Sequence, residues 1–488
     1  MVSGAIRGSR RPGAGPSGGR RRRAAALGAV LLLVLASCSG SDSRSEPDGP
    51  DTDAPTAREL ALQGGTGTVD VVGVGAFAQP MPGLSPEEQR AFAVGNSFFN
   101  QNWVTAPAST EGRDGLGPIF NAQSCSSCHF KDGRGRPPED ADDPERGLLI
   151  RLSVRDADGS YGPHPTYGNQ FQDRAIRGVD PEGSVLITTE ERTGTYADGT
   201  TWSLAVPTYT LLDADGEPVE DVVVSPRVAP QMMGVGLLEN IPVADLEAAE
   251  DPDDADGDGI SGRLNRVQDP ETGETVVGRF GWKAAVPTVS DQNAAAFVDD
   301  VGITSSRRPE GPCTEAQTDC RARPSGGDPE IDDHKMDRVD FYTRTLAVPA
   351  RRDVGAPSTT AGQASFEAIG CAACHTSVQR TGPSDIEPLS EQTIRPYTDL
   401  LLHDLGPDLA DDRPDGDATG REWRTPPLWG IGLVQAVNGH TRFLHDGRAR
   451  SIEEAVLWHG GEAQTARDAF IALPATERTA LLDFLESL

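Results

Sequence analysis

Cys125-Ser126-Ser127-Cys128-His129 and, far downstream, Cys371-Ala372-Ala373-Cys374-His375 decide the reading of this chain. Both are C-x-x-C-H. Two thiols at that spacing can add across the two vinyl groups of a haem, and the adjacent histidine then lies under the iron as its proximal ligand. The expected cofactors are therefore two covalently bound haem c groups, with His129 and His375 as iron ligands. A zinc site would need further cysteines, and a thioredoxin-type redox pair a βαβ setting; neither motif has them.

The N-terminus frames the rest. A basic cluster, Arg20 to Arg23, precedes an apolar run, Ala24 to Leu35, that is too short to span a bilayer, which is the anatomy of an export signal. The run ends in Leu35-Ala36-Ser37-Cys38, which looks like a lipobox, so Cys38 is the expected lipid anchor. Residues 39–56 are Ser, Asp, Pro and Gly with almost nothing apolar and read as a tether. The expected location is outside the cytoplasmic membrane, anchored to its outer side or in the periplasm. The remaining cysteines of the seven, Cys313 and Cys320, close a short loop and read as a disulfide. Net charge is −31, and falls to −38 once the seven arginines of residues 1–37 are removed, which excludes nucleic acid as a partner.

Working outward from the motifs, Ser85-Pro86-Glu87-Glu88 combines an N-cap, proline at the first helical position and a capping glutamate, and opens a helix toward Phe99. Phe366 and Ile369 lead into the second motif, and Leu481, Phe484, Leu485 and Leu488 share one helical face. Between the motifs, Leu148 to Val154, Ser184 to Thr189 and Ser203 to Leu212 are β-branched or alternating, are separated by Asp-Gly turns, and read as strands. The expected fold is mainly α, two class I cytochrome c-like domains with a β-containing insertion between them. The expected boundaries are 1–37 for the signal, 38–58 for the tether, 59–150 for the first haem domain, 151–350 for the insertion and 351–488 for the second haem domain. No internal repeat is evident beyond the two motifs.

Asp254, Asp256 and Asp258, followed by Gly259 and Ile260, resemble the start of an EF-hand calcium loop, with Asn265 where the bidentate glutamate belongs. The chemistry turns on the sixth iron ligand, because a six-coordinate haem passes electrons whereas an open one can bind peroxide or oxygen. Six histidines remain as candidates: His164, His334, His403, His440, His445 and His459. Ser451 and Glu454 read as a capping box, and Ile452, Ala455, Val456 and His459 then share one helical face before Gly460 and Gly461, which aims the imidazole of His459 into the core. A core histidine bonded to a backbone carbonyl is the competing reading.

Three further stretches carry a resemblance. Arg424-Thr425-Pro426-Pro427-Leu428, Phe443-Leu444-His445-Asp446-Gly447-Arg448 and Ser451-Ile452-Glu453-Glu454-Ala455-Val456 resemble the C-terminal haem domain of bacterial di-haem cytochrome c peroxidases, a pattern shared with the tryptophylquinone-maturing di-haem enzymes. More closely, Gly115-Leu116-Gly117-Pro118-Ile119-Phe120-Asn121, Leu400-Leu401-Leu402-His403-Asp404 and Leu457-Trp458-His459-Gly460-Gly461-Glu462 resemble the di-haem oxidoreductase family, also described as thiol oxidoreductases. The resemblance implies that His459 stands where the peroxidases carry a methionine ligand and the maturing enzyme a tyrosine. A low-potential, bis-histidine second haem follows, with His445 supporting its pocket.

For the first haem, Met232, Met233 and His164 are candidate distal ligands, and Gln170, Gln172 and Glu239 are candidates for a catalytic polar pocket. The leading functional expectation is a peroxidase-like redox enzyme, its N-terminal haem cleaving peroxide and its C-terminal haem relaying electrons from an external redox partner protein. The alternative is a pure electron-transfer lipoprotein with both irons six-coordinate.

Overall fold

Why the chain departs from an all-helical plan is clearest in its middle. In the computed structural model, which describes residues 55–110, 112–139, 143 and 147–488, two thirteen-residue strands form a long antiparallel hairpin, Gly183–Thr195 with Thr201–Asp213. Threonine and valine at alternating positions suit a pleated ribbon, and Asp198-Gly199, with Gly199 at φ 85°, turns it. The hairpin reaches the C-terminal helices: Tyr196 donates to Glu453 at 2.7 Å, and the amide of Ala205 donates to Glu454 at 2.6 Å. Leu148–Arg155 is the central strand of a second sheet, paired on one side with Val223–Val228 and on the other with Gln170–Phe171.

Helix accounts for 30% of the chain and strand for 20%, spread over many small sheets, so the mainly-α expectation is overturned. The three segments read as strands all form strands, but the hairpin runs well past the residues foreseen. The long helices cluster around the two motifs. Pro86–Asn100, capped by Ser85 with Glu88 reciprocating, crosses Asp333–Arg344. Pro357–Ala368 crosses Ala475–Ser487. A shared core gathers Phe77, Met233, Leu237, Val348, Leu400 and Trp429 from distant parts of the sequence, and residues Pro55–Leu488 form one compact unit. Cys313 and Cys320 are joined by a disulfide. The export signal, Cys38 and most of the tether lie outside the described residues.

Candidate functional site

Each motif begins as a short helical turn, Cys125–Cys128 capped by His129 and Cys371–Ala373 capped by Cys374. The imidazoles are held alike. Nδ1 of His129 donates to the carbonyl of Pro230 at 2.7 Å, and Nδ1 of His375 to the carbonyl of Tyr397 at 2.9 Å. A carbonyl partner fixes the proton on Nδ1 and leaves Nε2 as a lone-pair donor. Burial holds both rings neutral, pushing their pKa values down to about 4 against the smaller pull of those carbonyls.

All four motif cysteines and both histidines line one cavity of about 700 Å3. Burial raises Cys125 and Cys371 to about 12, so these sulfurs are protonated and apolar in character.

Two observations show that the cavity fits a pair of haems. Neutral imidazoles with Nε2 unprotonated are iron ligands by type. In addition, Arg134 and Arg424 are buried on the cavity wall and, among the described residues, donate only to backbone carbonyls, Arg134 to Arg442 and Leu444 and Arg424 to Gly281 and Thr425. Burial lowers both to about 10. A buried guanidinium without a bonded carboxylate calls for an anion, and haem carries two propionates.

At the second motif, His459 follows directly on the helix Ile452–Trp458, whose N-cap Ser451 accepts from the amide of Glu454. Its Nδ1 donates to the carbonyl of Ala455 at 2.8 Å, burial lowers its pKa, and it lines the same cavity as His375. Glu454 does not close the expected capping box: its carboxylate takes Arg450 and the amide of Ala205 instead. His445 is buried and stacked on Trp423, ring centroids 3.7 Å apart at 11°, also on the cavity wall. Trp423 packs with Trp282 and Val228, two residues before the carbonyl that holds His129.

At the first motif, the strand pairing Arg151↔Gln170 sets these two side chains together. Arg151 donates to Gln170 at 2.9 Å and to Asp299 at 2.7 Å; Gln170 donates to Asn121 at 2.9 Å and to Asp300 at 2.8 Å. Asp299 and Asp300 sit in a π-helical turn, Phe297–Val301, a geometry that recurs at functional sites. Burial raises Asp300 to about 7 despite the hydrogen bond from Gln170. Asp300, Asp299, Arg151 and Gln170 all line the cavity, and Asp300 acts electrostatically on Cys125 and Cys128.

The structure separates the other sequence candidates. Glu239 lies off the cavity wall, accepting from Arg344 at 2.6 Å and from the amide of Val289 at 2.8 Å, so its charge is already matched. Gln172 is buried against the carbonyl of Asp299 and also stands off the wall. His164 stacks on Tyr167 away from the cavity. Met232 and Met233 do reach the wall, Met233 within the shared core.

In the acidic loop, Asp254 and Asp256 gather with Asp251, while Asp258 stands apart, accepting from the amide of Ile260. Asn265 is fully buried, donating to the carbonyls of Lys283 and Asp415, and takes no part in the loop. The sequence reading missed Asp300, Arg151 and Arg134 and quoted Arg424 without a role of its own, and nothing local marks Asp300 among 75 acidic residues.

No curated protein and no solved structure matches the chain. A family model described as "Di-haem oxidoreductase, putative peroxidase" matches residues 59–154 and 168–488. That span takes in both motifs, the Arg151, Gln170 and Asp300 cluster and the His459 helix, and the chain belongs to the di-haem oxidoreductase family.

Proposed function

We propose that this chain is an exported di-haem c-type peroxidase. Peroxide is reduced beside the first motif, and electrons enter from an external partner protein through the second. The observation that carries the reading is the inequality of the two sites: the second motif faces His459, while the first shares its cavity wall with an acid poised near neutrality. When bound, the haems supply one-electron centres, and two electrons and two protons convert peroxide to two water molecules.

The chain's own residues manage the protons. As a carboxylate, Asp300 accepts a proton from the incoming peroxide and returns it to the departing oxygen, while Gln170 keeps the carboxylate aimed and Arg151 keeps Gln170 in place. Arg134 and Arg424 would take propionate carboxylates, and His459 would give the second iron its sixth ligand. Trp423, stacked on His445 and packed on Trp282, supplies an aromatic run within the wall common to both motifs. Export and anchoring through Cys38 rest on the basic cluster, the apolar run and the Leu-Ala-Ser-Cys ending. A calcium ion among the aspartates of the 251–258 loop rests on their spacing.

Electron paramagnetic resonance of the holoprotein before and after peroxide tests the reading. One high-spin signal that peroxide bleaches, and one low-spin signal that His459→Ala converts to high spin, are the expected results. Two unchanging low-spin signals would sink the peroxidase and leave a pure electron-transfer protein.

A further inference from the structure

His403 has no part in the scheme above, yet its surroundings are unusual. Its side chain is 3% exposed, on the short strand Leu402–Asp404, and both ring nitrogens meet carboxylates: Nδ1 lies 2.8 Å from Glu462 and Nε2 2.9 Å from Asp399. Nδ1 also lies 3.6 Å from Sγ of Cys374. A neutral imidazole has one N–H and could satisfy one carboxylate only; its bare nitrogen would face the other's lone pairs. With both nitrogens protonated, the ring donates to both and separates two buried negative charges.

We propose that His403 is a fixed imidazolium at the edge of the second haem site, a positioning residue that holds that haem's midpoint potential up and level through neutral pH. The inference rests on the second motif carrying a haem. Burial opposes the charge, but the bonds to Asp399 and Glu462 on its two nitrogens outweigh it and push the ring's pKa up.

The neighbouring carboxylates are net negative, and the imidazolium offsets part of their charge at the haem. Asp399 and Glu462 contribute two negative charges against the single positive charge of His403, and Arg424 lies near Asp399. His375 is neutral, and on the flanking strands Arg263 is bonded to Glu422 at 2.6 Å and Arg421 sits 3.6 Å from Asp404. Removing the imidazolium therefore makes the field at the second haem more negative, which stabilises the oxidised iron.

Cys374, Asp399 and His403 also have metal-ligand proximity. A thioether at Cys374 would take the thiolate from that set, and both nitrogens of His403 are already engaged.

Potentiometric titration of the holoprotein, following the absorbance of the second haem between pH 6 and 9, tests the proposal without turnover. His403→Gln is expected to lower the midpoint throughout that range. Glu462→Gln, which removes a negative charge and keeps the imidazolium, is expected to raise it. Low-spin bands and haem content should match wild type in both. Shifts of the same sign, or none, overturn the assignment and leave the peroxide reading intact, since that concerns the first haem. Absence of the second haem from wild type would overturn the reading beneath it.

Discussion

The helix before each motif crosses a later helix at a glycine, and the phenylalanine one turn on packs against the motif's histidine. Near the first motif these are Gly95 and Phe99, and near the second Gly362 and Phe366. A Cβ at Gly95 would collide with the carbonyl of Arg338, and one at Gly362 with the carbonyl of Ala480. Phe99 lies 6.1 Å from His129 and 5.3 Å from Tyr342; Phe366 lies 6.2 Å from His375 and 5.2 Å from Phe484. The scaffold is repeated. The surroundings are not, because Tyr342 donates to the buried Asp132 at 2.6 Å where Phe484 is wholly apolar, and an acid faces the first cavity wall where an imidazole faces the second. One helix crossing thus supports two chemistries, and the difference lies in what the β-rich middle and the C-terminal segment bring to the cavity.

The largest expected effect separates the sites outright. Replacing Cys371 and Cys374 by serine should leave about half the haem absorbance per chain and abolish reduction by a protein donor, while the matching pair at Cys125 and Cys128 should remove the peroxide-bleached high-spin signal and leave the donor's reduction of the remaining haem intact. Equal effects from both pairs would break the comparison.

Next is Asp300→Asn, which should lower kcat/KM for peroxide roughly 10²- to 10⁴-fold while leaving the low-spin signal of the second haem unchanged. Asp300 serves as the carboxylate, and its pKa is raised to about 7, so wild-type kcat/KM should rise with pH through about 7 and fall away below it. Asparagine should erase that limb of the pH profile.

Smaller and symmetric, Gly95→Ala and Gly362→Ala should each cost about 1–3 kcal/mol, read as a loss of melting temperature, because a methyl group has no room at either crossing. The smallest effect should distinguish the helices again. Ser85→Ala removes a full capping box and should cost about 1 kcal/mol, whereas Ala356, which caps the second helix with no side-chain bond, offers a site where serine should add stability.

Both motifs were legible in the sequence, and so were the Ser85 cap and the three strand segments, because each is written in consecutive residues. The repeat at Gly95 and Gly362 was not. A Gly-x-x-x-Phe spacing is too common to notice until Arg338 and Ala480 are seen lying on the two glycines. Gln170 was identified by residue type, but Gln172 and Glu239, chosen on the same ground, stand off the cavity wall, Gln172 bonded to the carbonyl of Asp299 and Glu239 claimed by Arg344. Asp300 escaped because its pKa is set by burial against segments remote in sequence. The mainly-α expectation failed where helices marked by caps outweighed a hairpin whose length only the paired register reveals.

The separation of partners along the chain sets an order of assembly. His375 finds its carbonyl 22 residues away, and His403 finds Glu462 59 residues away. Closing the first site takes far longer loops: Tyr342 reaches Asp132 across 210 residues, and Arg134 reaches Leu444 across 310. Contacts that distant form slowly, because loop closure must precede any gain from packing. The half of the protein made first therefore waits on the half made last, and its motif stays accessible in the growing chain until the residues around Leu444 have arrived.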